Sequence, residues 1–231
     1  VVMVDEASMV GTRDLTVIRE RVETAGARLV LTGDPQQLGA VEAGGVMGLL
    51  HDRAETFTLA EVRRFHEPWE RDASLRLRAG DREALDVYDA HGRVLGYHDP
   101  GETVTAAARA WVADHLDGRD VLAVAASNRL AGEVSRSVRD LLISLGEVDD
   151  GPGVQLGRDH NLASVGDLVQ ARRLDRALGL VNREVYRVTA LTDDDGLDVV
   201  SVRTGEHWHV PASYASHDLA LAYASTVHAA Q

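Results

Sequence analysis

Four consecutive apolar residues, Val1, Val2, Met3 and Val4, run straight into Asp5, Glu6, Ala7 and Ser8. A short apolar run stopped by charge is the pattern of a strand buried in a parallel sheet, where both faces are covered. In an open α/β sheet the carboxyl ends of the strands face the ligand crevice. Two adjacent carboxylates at that place suit Mg²⁺-nucleotide chemistry. Asp5 can hold the metal through its water shell, because Mg²⁺ keeps several waters and takes few protein ligands. Glu6 can orient or deprotonate an attacking water. The same pattern also fits a solvated strand-to-helix turn, where an acid near a helix N-terminus is favourable.

A second stretch repeats the theme. Arg28 to Leu31 is apolar after its first residue and runs into Thr32, Gly33, Asp34, Pro35, Gln36 and Gln37. Between the two stretches, Leu15, Ile18, Val22 and Ala25 recur at steps of three and four, which predicts one helix with an apolar face. A strand-helix-strand unit results, with acids at both strand ends on one sheet edge. Asp34 is placed to reach a metal shell or nucleic acid. Gln37 is an uncharged donor and acceptor that can approach a terminal phosphate without repelling it.

Taken together, these stretches resemble known motifs. VVMVDEAS at residues 1–8 resembles a Walker B motif, and LVLTGDPQQL at 29–38 resembles the third motif of superfamily 1 helicases. LAEVRRF at 59–65 resembles the fourth motif and YASTVHAAQ at 223–231 the fifth. Their order and spacing match the RecD-like branch. The stretches at 61–81 and 166–191 look most like the helicase part of conjugative relaxases of the TrwC/TraI class. This resemblance implies an α/β chain of RecA-like P-loop NTPase lobes with a small SH3-like β-barrel insert. It implies ATP and Mg²⁺ as cofactors, with Asp5 on the metal through water, Glu6 on the water, Gln37 sensing the γ-phosphate and Gln231 near the nucleotide cleft. Arg64 would face the γ-phosphate from the second lobe, as an arginine finger in cis, and the guanidinium fork suits that task. Thr226 and His228 would touch single-stranded DNA, although Ala229 stands where the family more often has Lys or Gly.

Composition bounds these readings. The formal charge is −13, which argues against a protein that coats DNA but leaves room for a locally basic groove. Every cationic Lys/Arg position is arginine, so a phosphate-cradling loop ending in Lys-Ser or Lys-Thr is absent. The resemblance therefore implies a fragment, with its P-loop upstream and the last arginine-bearing motif downstream. There is no cysteine, no apolar run of membrane-spanning length and no signal-like start, which together favour the cytoplasm.

Along the chain, residues 1–56 read as the end of a first lobe, with a loop at Ala43 to Val46 before a short helix. A second lobe is expected over 57–150. It opens with strands at Thr56–Leu59 and Val94–Tyr97, and Pro68 starts a helix in which Trp69 is a core residue rather than a base-stacking one. A buried strand follows at Val121–Ala125, and then a helix on which Leu130, Val134, Val138, Leu141 and Leu145 share a face. From 151 to 213 the helical period gives way to short strands, with a hairpin turn at Asp193–Gly196; this is the barrel-like insert. Residues 214–231 return to the second lobe. Arg172, Arg173, Arg176, Arg183 and Arg187 cluster in the insert as the predicted single-strand contact surface, and the first four are the predicted DNA contacts. His207, Trp208 and His209 fit the alternation of an ordinary strand better than a metal site.

Two classes of function follow: an ATP-driven helicase on single-stranded DNA, 5′-to-3′ by resemblance, acting in plasmid transfer with a fused nicking domain; or a non-hydrolysing docking module built from the same lobes. A stand-alone RecD-like repair helicase is a variant of the first.

Overall fold

The structure is a computed structural model that describes residues 1–37, 39–40, 44–53, 55–59 and 63–227. His228 and Gln231 lie outside the described residues, as do Ala43, Glu61 and Val62. The chain forms two compact units, Val1–Leu95 and Gly96–Gln231.

In the first unit, strand β1 (Val2–Val4) and strand β2 (Leu29–Leu31) pair in parallel, with Val2 opposite Leu29 and Val4 opposite Leu31. Helix α1 (Thr12–Thr24) connects them. Asp14 in its first turn and Arg21 in its last complement the helix dipole. Leu15 and Val22 form its buried face. The helix ends at Ala25, and Gly26, at φ 60°, takes the left-handed conformation that a side chain would resist. Helix α2 (Val46–Arg53), helix α3 (Pro68–Arg78) and helix α4 (Ala84–Ala90) complete the unit. Trp69 of α3 stacks on His91 at 3.8 Å between centroids and meets Tyr88 of α4 edge-on at 5.5 Å. It therefore fastens α3 to the end of α4, although Trp69 is half-buried rather than part of the buried core.

Several expectations need correcting here. β1 is parallel but not buried: Val2 is 39% and Met3 65% exposed, and Val4 is half-buried. A parallel strand is covered on both faces only when layers pack on both sides. Among the described residues this ladder has two strands, so each keeps an unpaired edge. The residues at 56–59 and 94–97 belong to no helix or strand, and Phe57 and Leu59 are almost fully exposed. Apolar character alone cannot make a strand without a neighbour to receive its hydrogen bonds. The two compact units divide at 95/96. Arg78 of α3 reaches back to Asp34, which ties α3 to the first unit.

The second unit opens with helix α5 (Pro100–Leu116), capped by Asp99, whose side chain accepts from the Glu102 amide at 2.9 Å. Strand β3 (Ala123–Ala125) leads into helix α6 (Asn128–Ser144), where Ser127 accepts from the Leu130 amide at 3.2 Å. Ala131, Val134, Ser135, Val138 and Leu142 form the buried stripe of α6. Strands β4 (Val154–Gln155) and β5 (Leu162–Ala163) make a short antiparallel ladder. Then come β6 (Leu168–Ala171), β7 (Val185–Leu191), β8 (Leu197–Ser201) and β9 (His207–Val210). Helix α7 (Ala212–Asp218), strand β10 (Leu219–Leu221) and strand β11 (Ala224–Thr226) close the unit. The order β10-β6-β7-β8-β9 is antiparallel throughout, and β11 pairs in parallel with β3.

The predicted strands of the insert are all present, and so is the hairpin turn after Leu191, where Asp195 sits at φ 58°. Among the described residues the five strands form an open sheet: β9 and β10 stand at its two ends. β8 alternates buried and half-buried residues, the signature of one face on a core. His207 and His209 are exposed while Trp208 packs against Gly179, where an added Cβ would meet the indole at 2.3 Å. One core runs through the unit from Val104 to Ala224 and includes Val138, Val169, Val188, Leu197, Leu221 and Tyr223.

Candidate phosphate-chemistry edge and nucleic-acid groove

β1 and β2 end side by side, and backbone bonds continue past them. The Thr32 amide donates to Val4 O at 2.9 Å, and the Ala7 amide donates to Thr32 O at 2.9 Å. This places Thr32 beside Asp5, and its hydroxyl donates to Asp5 Oδ1 at 2.6 Å. The Glu6 amide donates to the same oxygen at 3.0 Å. The Thr32 bond first, and the Glu6 amide second, hold the Asp5 carboxyl below its ordinary range. Asp5 is therefore an exposed, firmly ionised carboxylate fixed through one oxygen.

Glu6 follows at φ 48°, ψ 39°, a left-handed conformation that costs a non-glycine residue roughly 1–3 kcal/mol. Such a turn ends the strand abruptly and starts the short 3₁₀ turn Ala7–Met9. Gly33 completes the junction: a Cβ there would come within 3.1 Å of the Ala7 amide and 3.2 Å of the Ser8 amide. Ser8 Oγ is buried here with no hydrogen-bond partner. The oxygen donors gathered at this edge, Asp5, Glu6, Ser8 and Thr32, are the hard donors that suit hydrated Mg²⁺.

Asp34 has a different role from the one its position in the sequence suggests. Arg78 grips both carboxylate oxygens: Nη2 donates to Oδ1 at 2.6 Å and Nη1 to Oδ2. Arg78 Nε also donates to Gln36 Oε1 at 2.5 Å. Partial burial opposes ionisation of Asp34, but the Arg78 bond and the Gln36 amide outweigh it, and the pKa lies below the ordinary value. Gln37 is exposed, its amide donates to Asp34 O at 3.2 Å, and its side chain also bonds Asp34. The loop that presents Gln37 is thus anchored by an arginine 42 positions from Gln36. Nothing in the local sequence marks Arg78 for this, because the pairing is long-range. Arg64 is exposed and is grouped with the unit that holds Glu6.

In the second unit, a groove of about 350 Å³ lies between the start of α6 and the loops around the five-stranded sheet. Asn128, Arg158, Asp159, Arg172, Arg183 and Thr226 line it. Thr226 is placed by β11, opposite Ala125 of β3. The Arg172 amide donates to Asp218 O at 2.8 Å and the Arg183 amide to Ala171 O at 2.7 Å, which brings both arginines to one rim. Arg183 is at φ 69°. Burial first lowers the Arg172 pKa; Asp159 opposes this, and the nearby Arg183 and Arg158 add to it. Three guanidinium groups therefore share one small space. Of the four predicted DNA-contact arginines, Arg172 and Arg183 line the groove and Arg173 and Arg176 do not. Arg173 pairs with the buried Asp218 at 3.1 Å, 6.0 Å over the Tyr214 ring, and Arg176 is exposed. Arg158, which the sequence did not single out, shares Asp218 at 3.1 Å.

The second unit also holds a buried polar network. Asp167 is fully buried and accepts from Arg139 Nε at 2.8 Å, the Ser164 amide at 2.8 Å and Tyr223 Oη at 2.7 Å. Burial, then the Asp167 charge, push the Tyr223 hydroxyl far above its ordinary pKa, so it stays a donor. The network joins α6, the start of β6 and the residue just before β11.

An acid-tipped parallel strand pair, a second strand-helix unit and an inserted antiparallel sheet define the class: a RecA-type helicase fold of mixed α/β structure. Comparison with known proteins agrees. Residues 1–99 match the family described as AAA domain. The conjugal transfer protein TraA of Agrobacterium fabrum is 29% identical over 232 residues, covering 100% of this chain and 21% of that protein. The RecBCD enzyme subunit RecD of Mycolicibacterium smegmatis is 37% identical over 107 residues, covering 44% of this chain and 19% of RecD. The crystal structure of a Bacteroides Pif1 helicase with ADP-AlF3 and ssDNA matches 99% of this chain and 61% of its own, at a TM-score of 0.60 and 17% identity. The chain is similar to TraA and RecD, and its fold is that of the Pif1 helicases. It spans about a fifth of the curated TraA relatives. Among the described residues no helix is long and apolar enough to cross a membrane.

Proposed function

We propose that this chain is the part of an ATP-driven, single-stranded-DNA helicase that carries the hydrolytic acids and a strand grip. In this reading it acts 5′-to-3′ within a conjugative relaxase-helicase that moves plasmid DNA, alongside a nicking domain. The observation that carries the reading is the Asp5–Thr32–Glu6 constellation at the ends of a parallel strand pair. ATP with Mg²⁺ would supply a polarised terminal phosphoryl group at this edge. Asp5, fixed through Oδ1, would hold the metal's water shell with its other oxygen. Glu6, exposed and turned out of the strand by its left-handed backbone, would take the proton of the attacking water onto its carboxylate. Gln37, on the loop anchored by Asp34 and Arg78, would sense the terminal phosphate. Arg64 and Gln231 would serve the same nucleotide, and Arg64 would stabilise charge on the transferred group. Thr226, His228 and the groove arginines Arg172 and Arg183 would hold the strand, with Arg173 and Arg176 outside that groove. The open five-stranded sheet is read here as the SH3-like insert of such helicases.

The test is ATP turnover by the protein as its gene encodes it, with and without single-stranded DNA. Hydrolysis that depends on the strand is the expected result. Hydrolysis indifferent to DNA, or strand binding with no hydrolysis at all, would replace this reading with the docking module.

A further inference from the structure

The groove in the second unit contains more recognition chemistry than the motifs account for. Arg158 lies on the loop between β4 and β5, outside every stretch that resembles a helicase motif. Its position is imposed by two contacts. The Arg158 amide donates to Leu219 O at 3.0 Å, and its guanidinium holds Asp218 Oδ1 at 3.1 Å. Asp218 is buried, and it binds Arg173 with its other oxygen at 3.1 Å. One buried carboxylate thus orients two arginines, and the pair keeps a net positive charge. Gly157 sets the loop against α7 so closely that a Cβ would lie 2.0 Å from Ser216 O. The loop has little freedom to move Arg158 elsewhere.

Across the groove Arg172 is half-buried, with Nη1 donating to Gln170 Oε1 at 2.9 Å. The one acid in the lining, Asp159, is already occupied by amides: Leu221 N at 3.0 Å, Asn161 N at 3.2 Å and Asn161 Nδ2 at 2.9 Å. It attracts Arg172 electrostatically without sealing it in an ion pair. Counting the shared Asp218, four arginines (Arg158, Arg172, Arg173 and Arg183) stand against two aspartates, Asp159 and Asp218, so the balance around the groove is cationic in a chain of formal charge −13. Holding like charges together in a partly buried space is unfavourable unless an anion is to occupy it. The lining also excludes one mode of recognition. Apart from the six residues named above, the described lining consists of Gly, Ala, Ser and Leu, and among the described residues it holds no aromatic ring on which a base could stack.

From this we infer that the groove is a phosphodiester clamp in which Arg158 is a strand ligand and Asp218 its positioning residue, and that it reads the backbone of a single strand without reading its bases. The inference rests on the proposed strand-binding function and adds to it a residue and a mode of recognition. Phosphate contacts set register and affinity but carry no sequence information. The guanidinium fork matches two phosphate oxygens at once, which lysine does not reproduce.

Fluorescence anisotropy of the protein with a labelled oligothymidine, titrated with salt, tests this directly. Replacing Arg158 with Gln is expected to weaken binding by about tenfold and to flatten the slope of log K against log salt by about 0.7, the share of one single-strand phosphate. Arg158→Lys is expected to recover the slope but only part of the affinity. Asp218→Asn is expected to weaken binding as well, because Arg158 and Arg173 lose their common anchor. If Asp218→Asn fails to fold by circular dichroism, the half-exposed Arg158 variants decide alone. An abasic strand of equal length should bind as tightly as the oligothymidine, while free ATP should not compete. An unchanged affinity and slope in Arg158→Gln, a marked loss with the abasic strand, or competition by ATP would each overturn the clamp. Failure of the wild-type protein to bind any strand would instead overturn the helicase reading.

Discussion

The two compact units use one local device for opposite ends. Each has a two-stranded parallel ladder whose strands end at a polar turn: β1 with β2, and β3 with β11. In the first unit the turn residues are Asp5, Glu6 and Asp34. In the second they are Ser127, Asn128 and Thr226, with arginines supplied from the loops around the sheet. An acid edge suits a hydrated cation and the water it helps to activate. A neutral, arginine-rimmed edge suits a phosphate backbone. The packing differs as well. Among the described residues, the buried apolar ones of the first unit are Ala7, Leu15, Val22, Ala73 and Ala84, none larger than leucine. The second unit buries a continuous core that includes Trp111, Tyr186, Tyr214 and Tyr223. The same strand-ending pattern can thus stand on a thin support or a deep one, and its chemistry is set by the turn residues rather than by the ladder.

Substitutions that act on one unit only will sharpen or break this contrast. The largest effect is expected from Glu6→Gln. Loss of a general base typically costs about 10²- to 10⁴-fold in turnover. Steady-state ATP hydrolysis should fall by that order while anisotropy with single-stranded DNA stays at the wild-type value. Weakened DNA binding in this variant would end the separation of roles.

Asp167→Ala should act on the stability of the second unit. It leaves Arg139, whose side chain is 12% exposed, without its buried partner. Breaking such a pair costs about 3–5 kcal/mol. Urea unfolding followed at the second unit's tryptophans should show that loss, and a variant as stable as wild type would show that the network is not structural.

A smaller effect is expected at Arg78. Its side chain is 44% exposed, so its bond to Asp34 contributes at most about 1 kcal/mol to stability. Arg78→Ala should scarcely move the melting temperature, yet it frees the loop that presents Gln37. A several-fold drop in DNA-stimulated turnover with unchanged DNA affinity is the expected pattern, and full activity would detach α3 from the nucleotide edge.

The smallest effect concerns His209. Its bond to Asp198, at 3.0 Å, first and the nearby Asp194 as well raise its pKa above the ordinary 6.5. A raised folded value means that the charged form stabilises the fold. That contribution is complete below the ordinary pKa and is lost as pH rises through the raised one. Wild type should therefore melt slightly above His209→Gln at about pH 5.5, and the two should coincide at about pH 8.5. A difference that grows with pH would reverse the assignment.

Much of the fold could be read from local pattern. Helices α1 and α6 follow from apolar spacing, and α3 from the proline that opens it. The insert's strands β6 to β9 follow from alternation and turn chemistry. The reading failed where it equated apolar with buried or paired. Val1, Met3, Phe57 and Leu59 are exposed because burial needs a second surface, which a residue cannot report about itself.

The candidate sites divide along the same line. Asp5 and Glu6 stand out at a strand end and Arg172 and Arg183 in a conspicuous cationic cluster, whereas Thr226 was named by resemblance alone. Arg78 on Asp34, Arg158 on Asp218, and Arg139 with Tyr223 on Asp167 were not, since they join residues 28 to 60 positions apart. The sequence by itself determined which residue types end each strand, because backbone propensity and side-chain chemistry are local. Only the tertiary structure decided which charges meet. An ion pair depends on distance in space, and the packing of α3, α6 and α7 sets that distance.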